Sequence, residues 1–351
     1  GPTRGVPLPS WRHPVSSHRS TMKTRFRFPP MLAIGALSCM AALACGAQLA
    51  THQSRPPDPS SIEVEEVRRI ISVLASDGMR GRRAATADAE RAAAFLAHEF
   101  EAAGLEPLEG LQGYFQSFSA RISEEPLVNV VGMIPGRRSD EFVLFSAHYD
   151  HIGIRPAVDG DSIANGANDN ASGTTAVVTL ARYFAQRGTP ERTLLFVAFT
   201  AEESGGYGSR YFSTQLDPDQ VVAMFNIEMI GKPAVEGPNT AWLTGFERSS
   251  FGEILQEAVA GTEYSFYPDP YPAQNLFYRS DNATLARLGV PAHSISTTPI
   301  DVDRDYHQVS DHVETLDMAH MTNTIRAIAL GAESIIAGDA TPTRVDPASV
   351  N

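Results

Sequence analysis

The chain has 351 residues, of which 42% are apolar and 20% charged, so it can bury an ordinary globular core. Its formal net charge is −13, and this surplus of carboxylates argues against nucleic acid or an anionic membrane surface as a partner. The two cysteines, Cys39 and Cys45, both lie near the N-terminus, which leaves the rest of the chain without a disulfide or a cysteine metal site.

Residues 1–44 are expected to be an upstream extension followed by a signal peptide. Three basic residues follow Met22, and then comes the uncharged run "MLAIGALSCMAALA" at 31–44. A basic segment before a short apolar run with a small-residue cleavage site is typical of a secretory signal. "ALAC", which ends at Cys45, resembles a bacterial lipobox, so lipid attachment at Cys45 and ordinary cleavage after Ala44 both stay open. Either outcome predicts export, to the periplasm, to a lipid-anchored position on a bacterial membrane, or as a secreted protein.

The remaining sequence divides into a polar, Pro-rich tether at 45–61, one domain at 62–338, and a tail at 339–351 that is expected to be disordered. Within the domain, short apolar runs alternate with helical patterns, the first of which starts at Ile62. This alternation predicts an α/β fold, a three-layer sandwich whose mixed, mostly parallel central sheet is flanked by helices. The predicted strands are 128–134, 142–147, 193–199, 221–227, 240–244 and 292–296, and the predicted helices are 84–104, 172–187, 249–260, 282–288 and 313–336.

Side chains that bind metals follow the predicted strands where each strand ends. In an open α/β sheet, ligands gather outside the carboxyl ends of the strands. Each residue alone is more often an ordinary surface group, but five separate segments deliver such residues to the same edge. Histidine mixed with carboxylate and without cysteine suits zinc or a similar divalent ion. The residues are His148, Asp150 and His151, then Asp169, then Glu202 and Glu203, then Glu228, and finally His307 and Asp311.

Two adjacent carboxylates, Glu202 and Glu203, follow the apolar strand "LLFVAF". Adjacent residues leaving a strand project in different directions. One carboxylate can therefore bind a metal while its neighbour reaches a water molecule on that metal and takes its proton. The pair thus predicts a ligand and a general base supplied by one rigid element.

The motifs "HYDH", "NDNASG", "TAEESGGYGS", "NIEMIG", "RSDN" and "YHQVSD", in this order, resemble those of the co-catalytic di-zinc aminopeptidases. That family shares its fold with glutamate carboxypeptidase, the transferrin receptor and glutaminyl cyclase, and the resemblance runs from about residue 62 to about residue 337. It implies an aminopeptidase that acts on peptides, with two zinc ions per chain, and we expect a monomer.

The resemblance also implies a role for each motif residue. His148 would bind one zinc and His307 with Glu203 the other. Asp169 would bridge the two ions, and the peptide bond after it would be cis. The remaining implied roles are Glu202 as general base, Tyr306 as a weaker candidate for assisting the oxyanion, and Asp150 as the carboxylate that orients His148.

Glu228 departs from the family pattern, which has aspartate at this position. The longer side chain could still bind the zinc held by His148, which is the expectation here, or it could bind the ammonium group of a substrate. Three other functions stay open. The first is a single-zinc glutaminyl cyclase, against which the intact His148 argues, and the second is a non-catalytic, receptor-like module. The third is a carboxypeptidase, for which Arg279 and Arg304 are the candidates to bind a substrate carboxylate.

Overall fold

The computed structural model describes residues 58–351. The predictions for the signal segment, for Cys45 and for residues 46–57 of the tether lie outside this part of the chain. Within 58–351, no helix combines the length and the apolar character needed to cross a membrane.

A mixed β-sheet of nine strands forms the centre of the domain, in the order β1-β3-β7-β4-β8-β11-β9-β10, with β2 paired to β3. The four middle strands β7, β4, β8 and β11 run parallel to one another, whereas β3 pairs with β7 and β9 pairs with β11 in antiparallel orientation. Strands β5 and β6 form a separate hairpin. The bounds are β1 Glu106–Pro107, β2 Phe115–Phe118, β3 Leu127–Ile134, β4 Arg138–His148, β5 Gly153–Val158, β6 Asp161–Ala164, β7 Arg192–Phe199, β8 Val221–Ile227, β9 Thr240–Leu243, β10 Ser265–Pro268 and β11 Ala292–Ser296.

Helices cover both faces of this sheet. Every residue of β7 is buried, and its alternate side chains enter two different apolar clusters. Phe196 packs on one face with α1, α2, α3, α5 and α7, whereas Val197 packs on the other with α4 and α6. This is the predicted three-layer sandwich. The helices are α1 Val64–Leu74, α2 Ala87–Ala103, α3 Gly173–Ala185, α4 Tyr207–Ser213, α5 Phe251–Ala258, α6 Asn282–Ala286 and α7 Met318–Ile336.

The last predicted helix, 313–336, is shorter in the structure. Val313–Thr315 forms a separate 3₁₀ turn, and α7 begins at Met318. The side chain of Asp317 accepts a hydrogen bond from the backbone N–H of His320, which is the N-cap arrangement that starts a helix. The β5–β6 hairpin was not predicted, although its turn at Asp159 and Gly160 has positive φ at both residues, as an Asp-Gly hairpin turn requires.

The C-terminal segment is ordered in the structure, so the prediction of a disordered tail is wrong. Val345 and Val350 join the apolar cluster beneath α4 and α6. The guanidinium of Arg344 donates to the carbonyl of Val221 at 2.8 Å, and the backbone N–H of Val345 donates to Gly289. Two valines and one arginine thus pack a polar sequence onto the sheet, and the domain extends to the last residue.

Candidate metal centre

The carboxyl ends of three adjacent parallel strands form the floor of the candidate site. Strand β4 ends on a histidine, β7 leads into the two adjacent glutamates, and β8 leads into a third glutamate. The loop before α3 and the loop between β11 and α7 close over these ends. Six of the predicted site residues line the resulting cavity together: His148, Asp169, Glu202, Glu203, Glu228 and His307.

Asp169 lies between the two histidines and directs one oxygen at each. Its Oδ1 is 3.4 Å from Nε2 of His148, and its Oδ2 is 3.1 Å from Nε2 of His307. The Asp169–Asn170 peptide bond is cis, as the resemblance implied. Burial alone would raise the pKa of Asp169, but hydrogen bonds from both histidines outweigh burial and hold that pKa well below its usual value. Asp169 therefore stays ionised between two nitrogen donors.

Asp311 holds the backbone of this loop. Its two carboxylate oxygens accept hydrogen bonds from the backbone N–H groups of Asn168, at 2.8 Å, and Asp169, at 3.0 Å. Asp311 is buried, so the loop that presents Asp169 is fixed from beneath. The sequence had placed Asp311 near the site without a role.

His148 is oriented by the main chain of Asp150. Nδ1 of His148 lies 3.1 Å from the carbonyl oxygen of Asp150. Because a carbonyl can only accept, Nδ1 carries a proton, and when the ring is neutral, as a metal ligand must be, the lone pair of Nε2 faces the site. That lone pair points toward two carboxylate oxygens, Oδ1 of Asp169 and, at 3.3 Å, Oε1 of Glu228. A lone pair facing two anionic acceptors favours a cation between them.

The carboxylate of Asp150 lies close to Nδ1 of His148, at 3.7 Å, but its hydrogen bonds go elsewhere. It accepts from the backbone N–H of Glu202 at 3.1 Å and from that of Glu203 at 3.3 Å. Asp150 therefore joins the end of β4 to the turn that carries both glutamates. The contact with His148 at hydrogen-bond distance is made by the Asp150 carbonyl rather than by the carboxylate that the sequence suggested.

Glu203 is held by two histidines, one of which was not given a role from the sequence. Its Oε2 lies 3.1 Å from Nε2 of His307, and its Oε1 lies 2.9 Å from Nδ1 of His151. His151 is fully buried. Its position three residues after His148 in "HYDH" was the only local signal that it belongs to the site.

The field of the carboxylates favours positive charge at both histidines. Burial lowers the pKa of His148, but Glu228 and Glu202 outweigh it and raise that pKa well above its usual value. For His307, burial is outweighed by Asp169 and Glu203, which raise the pKa to about 10. Interactions that stabilise an added proton would equally stabilise a metal ion placed between these groups.

Glu202 differs from its neighbour in its contacts. Its carboxylate is 18% exposed, lines the cavity, and lies 3.9 Å from Nε2 of His148. Burial raises the pKa of Glu202 well above its usual value, and the nearby Asp281 adds to the effect while His148 opposes it. A carboxylate with a raised pKa at the edge of a cavity suits proton transfer better than ligation.

Tyr306 stacks on the ring of His307 with ring centroids 4.0 Å apart, and its hydroxyl accepts from Arg279 at 3.3 Å. Both Tyr306 and Arg279 line the cavity, whereas Arg304 is exposed and does not. Beyond the charged groups the walls of the cavity combine large apolar side chains with small hydroxyls, from Met229, Trp242, Leu276, Ile300, Thr244, Ser294 and Ser296.

The segment 129–331, more than half of the chain, matches the sequence model of peptidase family M28. The chain belongs to peptidase family M28. A probable leucine aminopeptidase 1 of Trichophyton verrucosum is 29% identical over 217 residues, which cover 57% of this M28 chain and 56% of that protein. The chain thus spans about half the length of the leucine aminopeptidases it matches.

Two solved structures show that other proteins share the fold of this M28 chain. BSAP, a zinc aminopeptidase from Bacillus subtilis, superposes with a TM-score of 0.62 at 15% identity, covering 82% of this chain and 98% of that one. The glutaminyl cyclase of Bacteroides thetaiotaomicron superposes with a TM-score of 0.59 at 17% identity, covering 80% and 99%. The mixed sheet flanked by helices is confirmed as the fold.

Proposed function

We propose that this protein is an exported aminopeptidase that holds two zinc ions per chain and removes N-terminal residues from peptides. The observation that carries the proposal is the position of Asp169, whose two oxygens face two different histidines. Membership of family M28 supports peptide hydrolysis. Export rests on the signal-like sequence at 22–44.

The donor set fits zinc. It contains two imidazoles and carboxylates but no thiol, a combination that zinc accepts. Ligand atoms of His148, Asp169 and Glu203 all lie within 4.8 Å of one another. His148 and Glu228 would hold one ion, His307 and Glu203 the other, and Asp169 both.

When bound, the ions would lower the pKa of an attacking water and polarise the substrate carbonyl. Glu202 would take a proton from the water and return it to the leaving amine, for which its raised pKa is suited. Tyr306 could donate its hydroxyl proton in a hydrogen bond to the carbonyl oxygen, because it adjoins His307 at the cavity wall. Trp242, Leu276 and Ile300 would enclose an apolar N-terminal side chain.

Two other activities would need a different site. A single-zinc cyclase would not need His148, yet His148 is buried and oriented with its Nε2 toward Asp169 and Glu228. A carboxypeptidase would need cations for the substrate carboxylate, and in the described part of the chain the cavity wall includes one arginine, Arg279. Aminopeptidase activity is therefore the function that this site favours.

The test of this function is metal content together with substrate preference. We expect the purified protein to contain close to two zinc ions per chain, and chelation to abolish hydrolysis of aminoacyl-anilides. Substrates with a blocked N-terminus should not be cleaved. One ion per chain with full activity would contradict the two-metal mechanism, and cyclisation of N-terminal glutamine without peptide hydrolysis would favour the cyclase.

Glu228→Gln tests the residue that departs from the family pattern. Glu228 Oε1 faces His148, and its Oε2 accepts from the hydroxyl of Ser280 at 2.7 Å, so the carboxylate is aimed at the metal position. We expect Glu228→Gln to weaken binding of one zinc ion, measured by competition with a chelator, more than it raises KM for peptides. Unchanged zinc affinity with lost selectivity for free N-termini would instead assign Glu228 to substrate recognition.

A further inference from the structure

Lys232 belongs to a partly buried charge cluster outside the proposed ligand set. The sequence contains only two lysines, Lys23 and Lys232. The side chain of Lys232 is 14% exposed, and its ammonium forms ion pairs with Asp303 and, at 2.7 Å, with Oδ2 of Asp305. Both aspartates belong to the loop that continues into Tyr306 and His307.

The loop has the alternating pattern Asp301, Asp303, Asp305, in which closely spaced carboxylates can surround a cation. Here the cation between Asp303 and Asp305 is the ammonium of Lys232. Asp301 is turned away and accepts a hydrogen bond from Gln274 at 2.6 Å. The loop therefore uses a side chain of the same protein as its counter-ion.

Asp303 depends on that counter-ion. Its side chain is 2% exposed, and within residues 58–351 its Oδ2 has no hydrogen-bond partner. A buried carboxylate without a cation is costly and tends to reach for water by moving the backbone. Burial lowers the pKa of Lys232, but Asp303 and Asp305 raise it by more, so the ammonium stays charged.

One of these aspartates, Asp305, also shapes the turn that presents His307. The backbone carbonyl of Asp305 accepts a hydrogen bond from the backbone N–H of Gln308 at 2.9 Å. The side-chain Oδ1 of Asp305 accepts a second one from the hydroxyl of Ser310 at 2.7 Å. Between these contacts His307 has a φ of +59°, a conformation that residues other than glycine rarely adopt. Such a residue keeps this conformation only where its surroundings hold it.

At its other end, Lys232 continues a segment that is bonded to the loop of Asp169. The backbone N–H groups of Met229 and Gly231 donate to the side-chain oxygens of Asn170 and Asn168, at 3.1 and 2.9 Å. Lys232 is four residues beyond Glu228 in this segment. Its ammonium therefore bridges the parts of the chain that carry the two proposed zinc positions.

We propose that Lys232 is a positioning residue, which holds the turn of Tyr306 and His307 against the segment after β8 and keeps His307 aimed at Asp169 and Glu203. This inference rests on the proposed function, because its expected consequence is a change in the affinity for zinc at the position that includes His307. Lys232 would thus support the site through Asp303 and Asp305, which are not among the residues proposed to bind zinc.

The test compares Lys232→Met with Arg187→Met, which removes a partly buried ion pair to Glu333 on another part of the domain. Loss of a group that orients a metal ligand typically lowers metal affinity about 10- to 100-fold. We expect Lys232→Met to lower the affinity for one of two zinc ions by that factor in chelator competition, and Arg187→Met to leave both affinities unchanged. Should Lys232→Met not fold, Asp305→Asn is the milder variant with the same expected direction.

A small amine distinguishes a missing cation from general damage. In Lys232→Ala, ethylammonium should restore zinc affinity, whereas tetramethylammonium at the same ionic strength should not, because it cannot donate hydrogen bonds. Equal loss of both ions without amine rescue, or unchanged zinc affinity, would overturn the proposal.

If the wild-type protein bound no zinc, the proposed function would fail, but the positioning role of Lys232 could still be tested. The measurement is hydrogen exchange of the backbone amides of residues 303–310. Faster exchange there in Lys232→Met than in Arg187→Met would support it, and equal exchange would overturn it.

Discussion

Glu202→Gln is expected to keep both zinc ions and to lose turnover by at least about 10²–10⁴-fold, the usual contribution of a general base. The amide has nearly the same shape as the carboxylate but cannot take a proton. Glu202 has no hydrogen bond to His151 or His307, unlike its neighbour, so its replacement leaves those contacts intact. The measurement is kcat on an aminoacyl-anilide together with zinc per chain from the same preparation.

Glu203→Gln is the matched control for this prediction. Its carboxylate lies within 3.1 Å of two imidazoles, so the amide should weaken the zinc ion shared with His307. Added zinc should then recover part of the activity of Glu203→Gln and none of that of Glu202→Gln. Loss of zinc from Glu202→Gln with normal content in Glu203→Gln would show that the two roles are reversed.

Arg82→Met is expected to produce the largest loss of stability. Arg82 is fully buried, and its guanidinium donates to four backbone carbonyls at 2.6–3.0 Å. Burial lowers the pKa of Arg82 to about 10, with Asp311 and Asp150 opposing the shift, so the group remains charged at neutral pH. The four carbonyls belong to Leu74, Tyr149, Asn165 and Gly166.

These contacts join the end of α1 to the loops that follow His148 and precede Asp169. An unsatisfied buried carbonyl costs about 1–3 kcal/mol, so the loss of hydrogen bonds to four of them should lower the unfolding free energy by roughly 4 kcal/mol or more. Denaturant unfolding of the zinc-free protein measures this without a contribution from metal binding. Arg83→Met is the control, because Arg83 is exposed and a surface change of this kind usually stays within about 0.5 kcal/mol. Equal unfolding free energies for the two variants would contradict the structural role of Arg82.

The sequence predicted the middle of the sheet well because β7 and β8 consist mostly of unbroken apolar runs. Strand β8 and strand β11 have the predicted bounds, and β7 differs by one residue at its start. Strands β7 and β11 are buried along their whole length and β8 along nearly all of it, since helices cover both faces of the sheet. The short edge strands β1, β2 and β10 carry no such pattern and were not predicted.

The order of the C-terminal segment could not be predicted from its sequence. Its composition resembles a disordered tail, yet Val345 and Val350 bury against α6 and the sheet. Whether two valines in a polar sequence find an apolar surface depends on what lies next to them in space. Composition alone could not supply that surface.

The sequence by itself determined which residues end the parallel strands, and therefore that His148, the pair Glu202 and Glu203, and Glu228 meet at one edge. That inference needs only strand direction and the apolar pattern. The tertiary structure decided the supporting contacts: His151 on Glu203, Asp311 beneath Asp169, and the ring of carbonyls around Arg82. The partners in these contacts are separated by 8 to 143 residues, as Lys232 and Asp303 are by 71. A contact between residues so far apart in the sequence leaves no periodic pattern there. It is set by how the loops pack rather than by the structural propensity of either segment.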